Sequence, residues 1–154
     1  MSDDTKNTDP LRWIQEEIRD FLLKDSWFGA LSANILLADR GTIIETLDIE
    51  IAKLGLAIII EPTEADLQYS GANIIVNFEE ASPMSIIVWE NVLSNRSATG
   101  TGRRASEVAI RIAKQFRPGQ TPAAPCTFRK ARLASDSNGR CIYTLAGVGR
   151  FTIA

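Results

Sequence analysis

The sequence has 154 residues, a formal net charge of −2, 45% hydrophobic residues and 23% charged residues. This length and composition are typical of one folded globular domain and exclude a disordered or fibrous chain. The longest apolar run, residues 54–60, is far shorter than the roughly 20 residues that a membrane-spanning helix needs. We therefore expect a disordered tail over residues 1–8, a single domain over residues 9–154, and no membrane contact.

Charge is unevenly distributed along the chain. Residues 1–95 carry 17 acidic and 6 basic side chains, whereas residues 96–154 carry 2 acidic and 11 basic side chains. Such asymmetry is typical of a surface that binds nucleic acid, or of complementary interfaces between copies of one protein. Two solvated faces of a single monomer explain the asymmetry equally well.

The residue types that most enzymes and metal sites require are missing. The chain has no histidine, which is the usual general base and the commonest metal ligand. Cys126 and Cys141 lack the spacing of a zinc site, and we expect both thiols to be reduced. The glycine-containing segment Thr99–Arg104 lacks the lysine of a phosphate-binding loop. No Asp-x-Lys or Glu-x-Lys pattern of a metal-dependent nuclease accompanies the acidic residues Asp66, Glu79, Glu80 and Glu90. The sequence therefore predicts no enzyme, no catalytic residue, no metal site and no cofactor.

Hydrophobic periodicity predicts two helices in the first third of the chain. A helix over Pro10–Lys24, with Asp9 as its N-cap, carries one apolar face. A capping-box pattern at residues 42–45 begins a second helix, which ends before Gly55. Residues 26–40, which lie between these helices, are either a short buried strand or a connection.

Three strands are predicted to follow. Leu56–Glu61 is a short apolar run that is typical of a strand buried on both faces. Ala72–Phe78 alternates apolar and polar residues, and Met84–Val92 is a core-like apolar run. Because a short turn separates the second and third segments, we expect them to form an antiparallel hairpin.

The clearest helix in the sequence begins near Arg103 and ends at Phe116. Its apolar residues share one face, and its basic residues line the other. Beyond a Pro-rich loop, residues 126–133 and 140–145 flank an Asn-Gly pair that favours a hairpin. A separate short strand is expected to end at Ile153. The predicted fold is α+β, a mixed but largely antiparallel sheet packed by two or three helices on one face.

Residues 86–96, Ile-Ile-Val-Trp-Glu-Asn-Val-Leu-Ser-Asn-Arg, precede a Gly/Thr loop and the helix Ala105–Ala113. This pattern resembles small tail-terminator or tail-completion (minor tail) proteins of tailed phages and prophages. The resemblance extends over residues 40–116 and includes the predicted second helix, which ends before an apolar strand.

The resemblance implies a structural subunit that assembles into a homo-oligomeric ring, commonly a hexamer, which caps the tail tube and joins it to the head. Its implied partners are tail-tube and head-completion proteins, with nonspecific DNA contact in the channel. The implied location is the virion and the host cytoplasm, which is the bacterial cytoplasm for a prophage-encoded protein. Ring interfaces are heterologous, so two different patches of each subunit meet.

Candidate interface or channel residues follow from these patterns. One candidate, Trp13, lies off the apolar stripe of the first helix. The other candidates are basic residues that lie within the helix that begins near Arg103 or just before it. The full set is Trp13, Arg96, Arg103, Arg104, Arg111 and Lys114. An adaptor module that binds nucleic acid or protein, and an enzyme with an unrecognised site, remain alternative interpretations.

Overall fold

The computed structural model describes residues 6, 8–38, 55–61, 65–95, 101–135 and 139–153. The helices in these parts of the chain are α1 (Pro10–Leu22), α2 (Ser26–Gly29), α3 (Val92–Asn95) and α4 (Ala105–Gln115), with one turn of 3-10 helix at Ser32–Asn34. The strands are β1 (Ile35–Leu37), β2 (Leu56–Glu61), β3 (Asp66–Ser70), β4 (Asn73–Phe78), β5 (Met84–Asn91), β6 (Thr127–Ser135) and β7 (Arg140–Ile153). The predicted second helix and most of the predicted N-terminal tail lie outside the described residues.

The seven strands form one sheet in the order β1-β2-β5-β7-β4-β3, with β6 also paired to β7. The β1–β2 pair is parallel, and the other pairs are antiparallel. The prediction of an α+β fold with a largely antiparallel sheet is confirmed.

One face of the sheet carries the main core. Side chains alternate along β5, so that Ile86 and Val88 are buried on this face together with Leu145 of β7. Helices α1 and α4 pack on the same face, and their buried stripes belong to the same hydrophobic cluster. A cluster that includes both helices and the sheet confirms that the helices cover one face. None of the described helices has the length and apolarity to cross a membrane.

Several local predictions are also confirmed. Helix α1 begins where expected, because the Asp9 side chain accepts a hydrogen bond from the backbone N–H of Arg12 at 3.2 Å. Strand β2 is buried along nearly its whole length. The ambiguous segment after α1 contains a short strand, β1, which pairs with β2.

The predicted hairpin of β4 with β5 is wrong. Both strands run antiparallel to β7, with Phe78 opposite Gly149 and Met84 opposite Gly147. They therefore lie one after the other along β7, and the residues between them make only an isolated bridge between Glu79 and Ser82. The physical reason is the length of β7, whose 14 residues provide hydrogen-bonding partners for both strands.

Strand β4 instead forms a hairpin with β3, which the sequence analysis did not predict. Ser70 pairs with Asn73, and Gly71 occupies the turn with a φ of 62°, in the left-handed region that favours glycine.

The expected separate last strand is also wrong, because β7 continues through Gly147 and Gly149. A Cβ added at Gly147 would lie 2.8 Å from the ring of Phe128, and one at Gly149 would lie 2.9 Å from the Cβ of Cys126. These glycines make room for the beginning of β6 rather than end the strand. The predicted hairpin of β6 with β7 is confirmed, with Gly139 in its turn at a φ of 71°.

Candidate functional site

The basic helix α4 begins at a buried carboxylate. Glu90, near the end of β5, is only 3% exposed. Its Oε1 accepts a hydrogen bond from the backbone N–H of Ala105 at 3.0 Å, and its Oε2 accepts one from Nδ2 of Asn95 at 2.9 Å. The N-cap residue Arg104 makes no side-chain capping bond, so Glu90 supplies this cap from the sheet. A negative group at this position also matches the positive end of the helix dipole.

Asn95 connects Glu90 to the segment that leads into α4. Its Nδ2 also donates to the carbonyl of Arg103 at 2.6 Å, and its Oδ1 accepts from the backbone N–H and the hydroxyl of Thr101. Its own carbonyl accepts from the N–H of Gly102. Glu90 and Asn95, which belong to the pattern that resembles tail-terminator proteins, therefore form hydrogen bonds within the subunit and set the position of α4.

Gly55 allows the chain to pass close to this network. It has a φ of 75°, and a Cβ added there would lie 2.7 Å from the backbone N and Cα of Asn95. Its carbonyl accepts a hydrogen bond from the N–H of Asn91 at 2.8 Å. Any side chain at this position would displace the backbone of α3.

The basic residues of α4 lie on its exposed face, as predicted, but Arg111 and the preceding Arg103 stack on an aromatic ring. The guanidinium groups of Arg103 and Arg111 lie 5.2 and 4.5 Å from the ring centroid of Trp27. Arg103 also contacts the carboxylate of Glu107 at 3.4 Å. These contacts hold both arginines against the surface of their own subunit.

The remaining basic candidates are Arg104, Lys114 and Arg96. Arg104 is exposed at the N-cap of α4, and Lys114 lies near the other end of the helix, beside a polar depression that Arg111 also lines. Arg96 lies outside the described residues. The structure therefore brings together Arg103 and Arg111, and it does not gather the whole predicted set at one point.

Trp13 is half-buried and packs onto the core. Its ring meets Phe151 edge-on at a centroid distance of 6.2 Å, and the Lys6 ammonium lies 4.7 Å from the centroid of the Trp13 ring. Trp89 is half-buried on the face of the sheet opposite to α4, where the Arg140 guanidinium lies 5.6 Å from its ring.

The sequence did not predict an exposed apolar surface around β3. All five residues of β3 are exposed, including Tyr69 at 77% and Leu67 at 56%. An open apolar groove lies beside them, and it is lined by Pro10, Leu11, Leu67, Ile74, Val76 and Ile153 among others. The alternation Asp-Leu-Gln-Tyr-Ser before a glycine was the available signal for this strand.

A second exposed surface is basic. Residues 129–134 of β6 are all exposed, and they include Arg129, Lys130 and Arg132. Arg129 contacts Glu80 at 3.8 Å, but both side chains are largely in solvent. Among the described residues, no group of three or more Cys, Asp or Glu side chains is arranged to hold a metal ion.

The comparisons with known proteins identify a similar fold. A chain of the structure titled "Virion of native gene transfer agent (GTA) particle" superimposes with a TM-score of 0.53 and 12% sequence identity. The match covers 88% of this chain and 92% of that chain. No family model matches the sequence, and no curated protein matches it significantly. The chain thus shares its fold, over nearly its whole length, with a chain of a gene transfer agent virion.

Proposed function

We propose that this protein is a structural subunit of a phage-like virion, and that it forms the ring that terminates or completes the tail tube and joins it to the head. The observation that carries this proposal is the shared fold with a chain of a gene transfer agent virion. Because that match covers most of both chains, it concerns the whole domain rather than a common supersecondary motif.

The finer role rests on the sequence pattern around Glu90 and Asn95. This pattern resembles tail-terminator proteins, and its polar residues form the internal network that positions α4. A residue pattern that determines a subunit's shape is compatible with a structural role.

We also propose that the protein does not catalyse a reaction. The sequence contains no histidine, and the described residues bring no set of metal-ligating side chains together. The polar groups of the most buried network already hydrogen-bond to one another, which leaves Glu90 and Asn95 committed to structure.

The proposed partners are other copies of this chain, tail-tube proteins and head-completion proteins. The proposed location is the assembled particle and, before assembly, the cytoplasm of the bacterial host. The opposite charges of the two parts of the sequence support repeated contacts between identical subunits.

The test uses particles produced with and without an intact gene for this chain. We expect mass spectrometry to detect the protein in purified particles, and labelling to place it between tail and head. Particles that lack it should show heads and tails that are not joined. Normal joined particles without the chain would contradict the proposal.

Binding to nucleic acid is the second candidate function, because exposed arginines and lysines occur on both α4 and β6. The logarithm of the binding constant would fall linearly with the logarithm of the salt concentration. Double-stranded DNA binding that shows this dependence and is lost in an Arg104→Glu, Arg111→Glu variant would favour this alternative. Binding that is absent at low salt would exclude it.

A further inference from the structure

Strands β3 and β6 each leave one edge of the sheet open. Along the described parts of the chain, β3 pairs only with β4, and β6 pairs only with β7. An unpaired edge presents backbone N–H and C=O groups that can pair with a strand of another chain. Most side chains of both strands are exposed.

The side chains of β3 separate into an apolar and a polar face. Leu67 and Tyr69 lie opposite Val76 and Ile74, on the face that continues into the core at Phe151. The intervening residues Asp66, Gln68 and Ser70 lie on the other face. The apolar face of the sheet therefore extends beyond α1 as far as the open edge and ends there in solvent.

The side chains of β6 separate in the same way. Ala131 and Leu133 lie opposite Leu145 and Tyr143, on the face that α4 covers, and Leu133 is 46% exposed. Lys130 and Arg132 lie on the opposite face. If the two edges were joined with their apolar faces on the same side, apolar residues would meet apolar residues, and Asp66 would meet the basic residues of β6.

The charges of the two edges are opposite. The one charged side chain of β3, Asp66, is acidic. Strand β6 carries three basic side chains and no acidic one. Complementary charge at an interface suppresses wrong partners and fixes the register of the right one.

We propose that β3 of one subunit pairs with β6 of the next copy, so that the sheet continues from subunit to subunit. This inference rests on the proposed ring and names the surfaces that form it. Because the two edges differ, every copy offers one of each, and association continues until the ring closes. Leu67 and Tyr69 then contact Ala131 and Leu133 of the next copy, and Asp66 faces the basic side of its β6.

The test is a charge exchange measured by light scattering and sedimentation velocity over a wide concentration range. Asp66→Arg alone, and Lys130→Asp with Arg132→Asp, should each raise the midpoint concentration of assembly about tenfold or more, because like charges then face each other. Combining all three substitutions should restore the midpoint to within about threefold of wild type, because the pair is again opposite in charge. Asp20→Arg on α1 is the matched control and should leave the midpoint unchanged.

A second variant tests the apolar contact. Leu67→Lys should prevent assembly while circular dichroism and thermal unfolding stay normal, because Leu67 is exposed in the single subunit. A wild-type oligomer whose midpoint none of these variants changes would overturn the β3–β6 pairing and leave the ring proposal intact. A wild type that is monomeric at every concentration would overturn the pairing. Assembly that follows the charge exchange, by a chain absent from virions, would support the pairing and contradict the proposed function.

Discussion

Glu90 is a buried carboxylate whose two oxygens each accept a hydrogen bond from a different segment. Replacing it with alanine leaves the N–H of Ala105 and the amide of Asn95 without this acceptor. We expect Glu90→Ala to lower the free energy of unfolding by about 2–4 kcal/mol, since hydrogen bonds to charged groups contribute roughly 1.5–3 kcal/mol each. Urea unfolding monitored by circular dichroism measures this loss.

Glu90→Gln separates hydrogen bonding from size. Its amide nitrogen would face either the Ala105 N–H or the Asn95 amide donor, so one of the two bonds is lost and the loss of stability should be intermediate. The matched control is Glu79→Gln, an exposed carboxylate, which should change stability by less than about 0.5 kcal/mol. Equal stabilities of Glu90→Ala and Glu79→Gln would show that the network contributes nothing.

Cys126 makes the stability of the protein depend on pH in the alkaline range. Burial raises the pKa of its thiol from 9.0 to about 12. Because the folded-state pKa lies above the unfolded-state value, the stabilisation is fully present below about pH 9 and is lost as the pH rises toward 12. Wild type should therefore lose stability between pH 9 and 10.5 more steeply than Cys126→Ala, by up to about 1.36 kcal/mol per pH unit. Guanidinium unfolding at a series of pH values measures both slopes, and parallel slopes would contradict the prediction.

Capping residues and hydrophobic spacing were enough to predict a helix or strand wherever the segment's own residues determine its structure. The N-cap at Asp9 and the apolar stripe of α4 placed both long helices correctly. Strand pairing was less predictable, because alternation shows that a segment is a strand but not which strand lies beside it. The short turn made a β4–β5 hairpin a reasonable expectation, yet the shared partner of both strands is β7, which begins at Arg140, far later in the chain.

Charge reversal on the exposed face of α4 tests whether this face contributes to assembly. We expect Arg104→Glu with Arg111→Glu to raise the assembly midpoint about tenfold or more, because in the proposed ring this face meets the acidic part of a neighbouring subunit. Stability should fall by only about 0.5–1 kcal/mol, which is the contribution of an exposed stack such as that of Arg111 on Trp27. Light scattering and thermal unfolding separate the two effects.

The control for this face carries the same change of charge on another helix. Arg19→Glu with Lys24→Glu at the end of α1 should leave assembly unchanged. A normal oligomer of the α4 variant with altered retention of DNA in particles would place this face in the channel. Normal assembly and normal particle yield would identify it as solvated surface.

The sequence shows that charge is distributed unevenly along the chain, but it does not show on which surfaces of the folded molecule the charged side chains lie. Eleven basic residues follow position 95, and the sequence predicted a basic surface on α4. The structure divides the described ones between α4, β6 and β7, and it stacks two of them on Trp27. The apolar groove beside β3 was not predictable from local pattern, because it forms between the beginning of α1 and a hairpin more than 50 residues away in the chain.

Strand β7 pairs with β4, β5 and β6, and each of these precedes it in the chain. A fragment that ends at Ser135 therefore contains three strands without their shared neighbour. We expect this fragment to lack the dispersed amide NMR spectrum and the cooperative thermal transition of the full chain. A fragment that shows both would contradict this central role of β7.

This order of strands also affects synthesis on the ribosome. Until β7 has left the exit tunnel, the edges of β4, β5 and β6 that pair with it have no partner in their own chain. Such surfaces are prone to aggregate or to bind chaperones. The sheet is thus complete only after β7 has been synthesised, and in the proposed ring a subunit becomes able to associate with other copies only after that step.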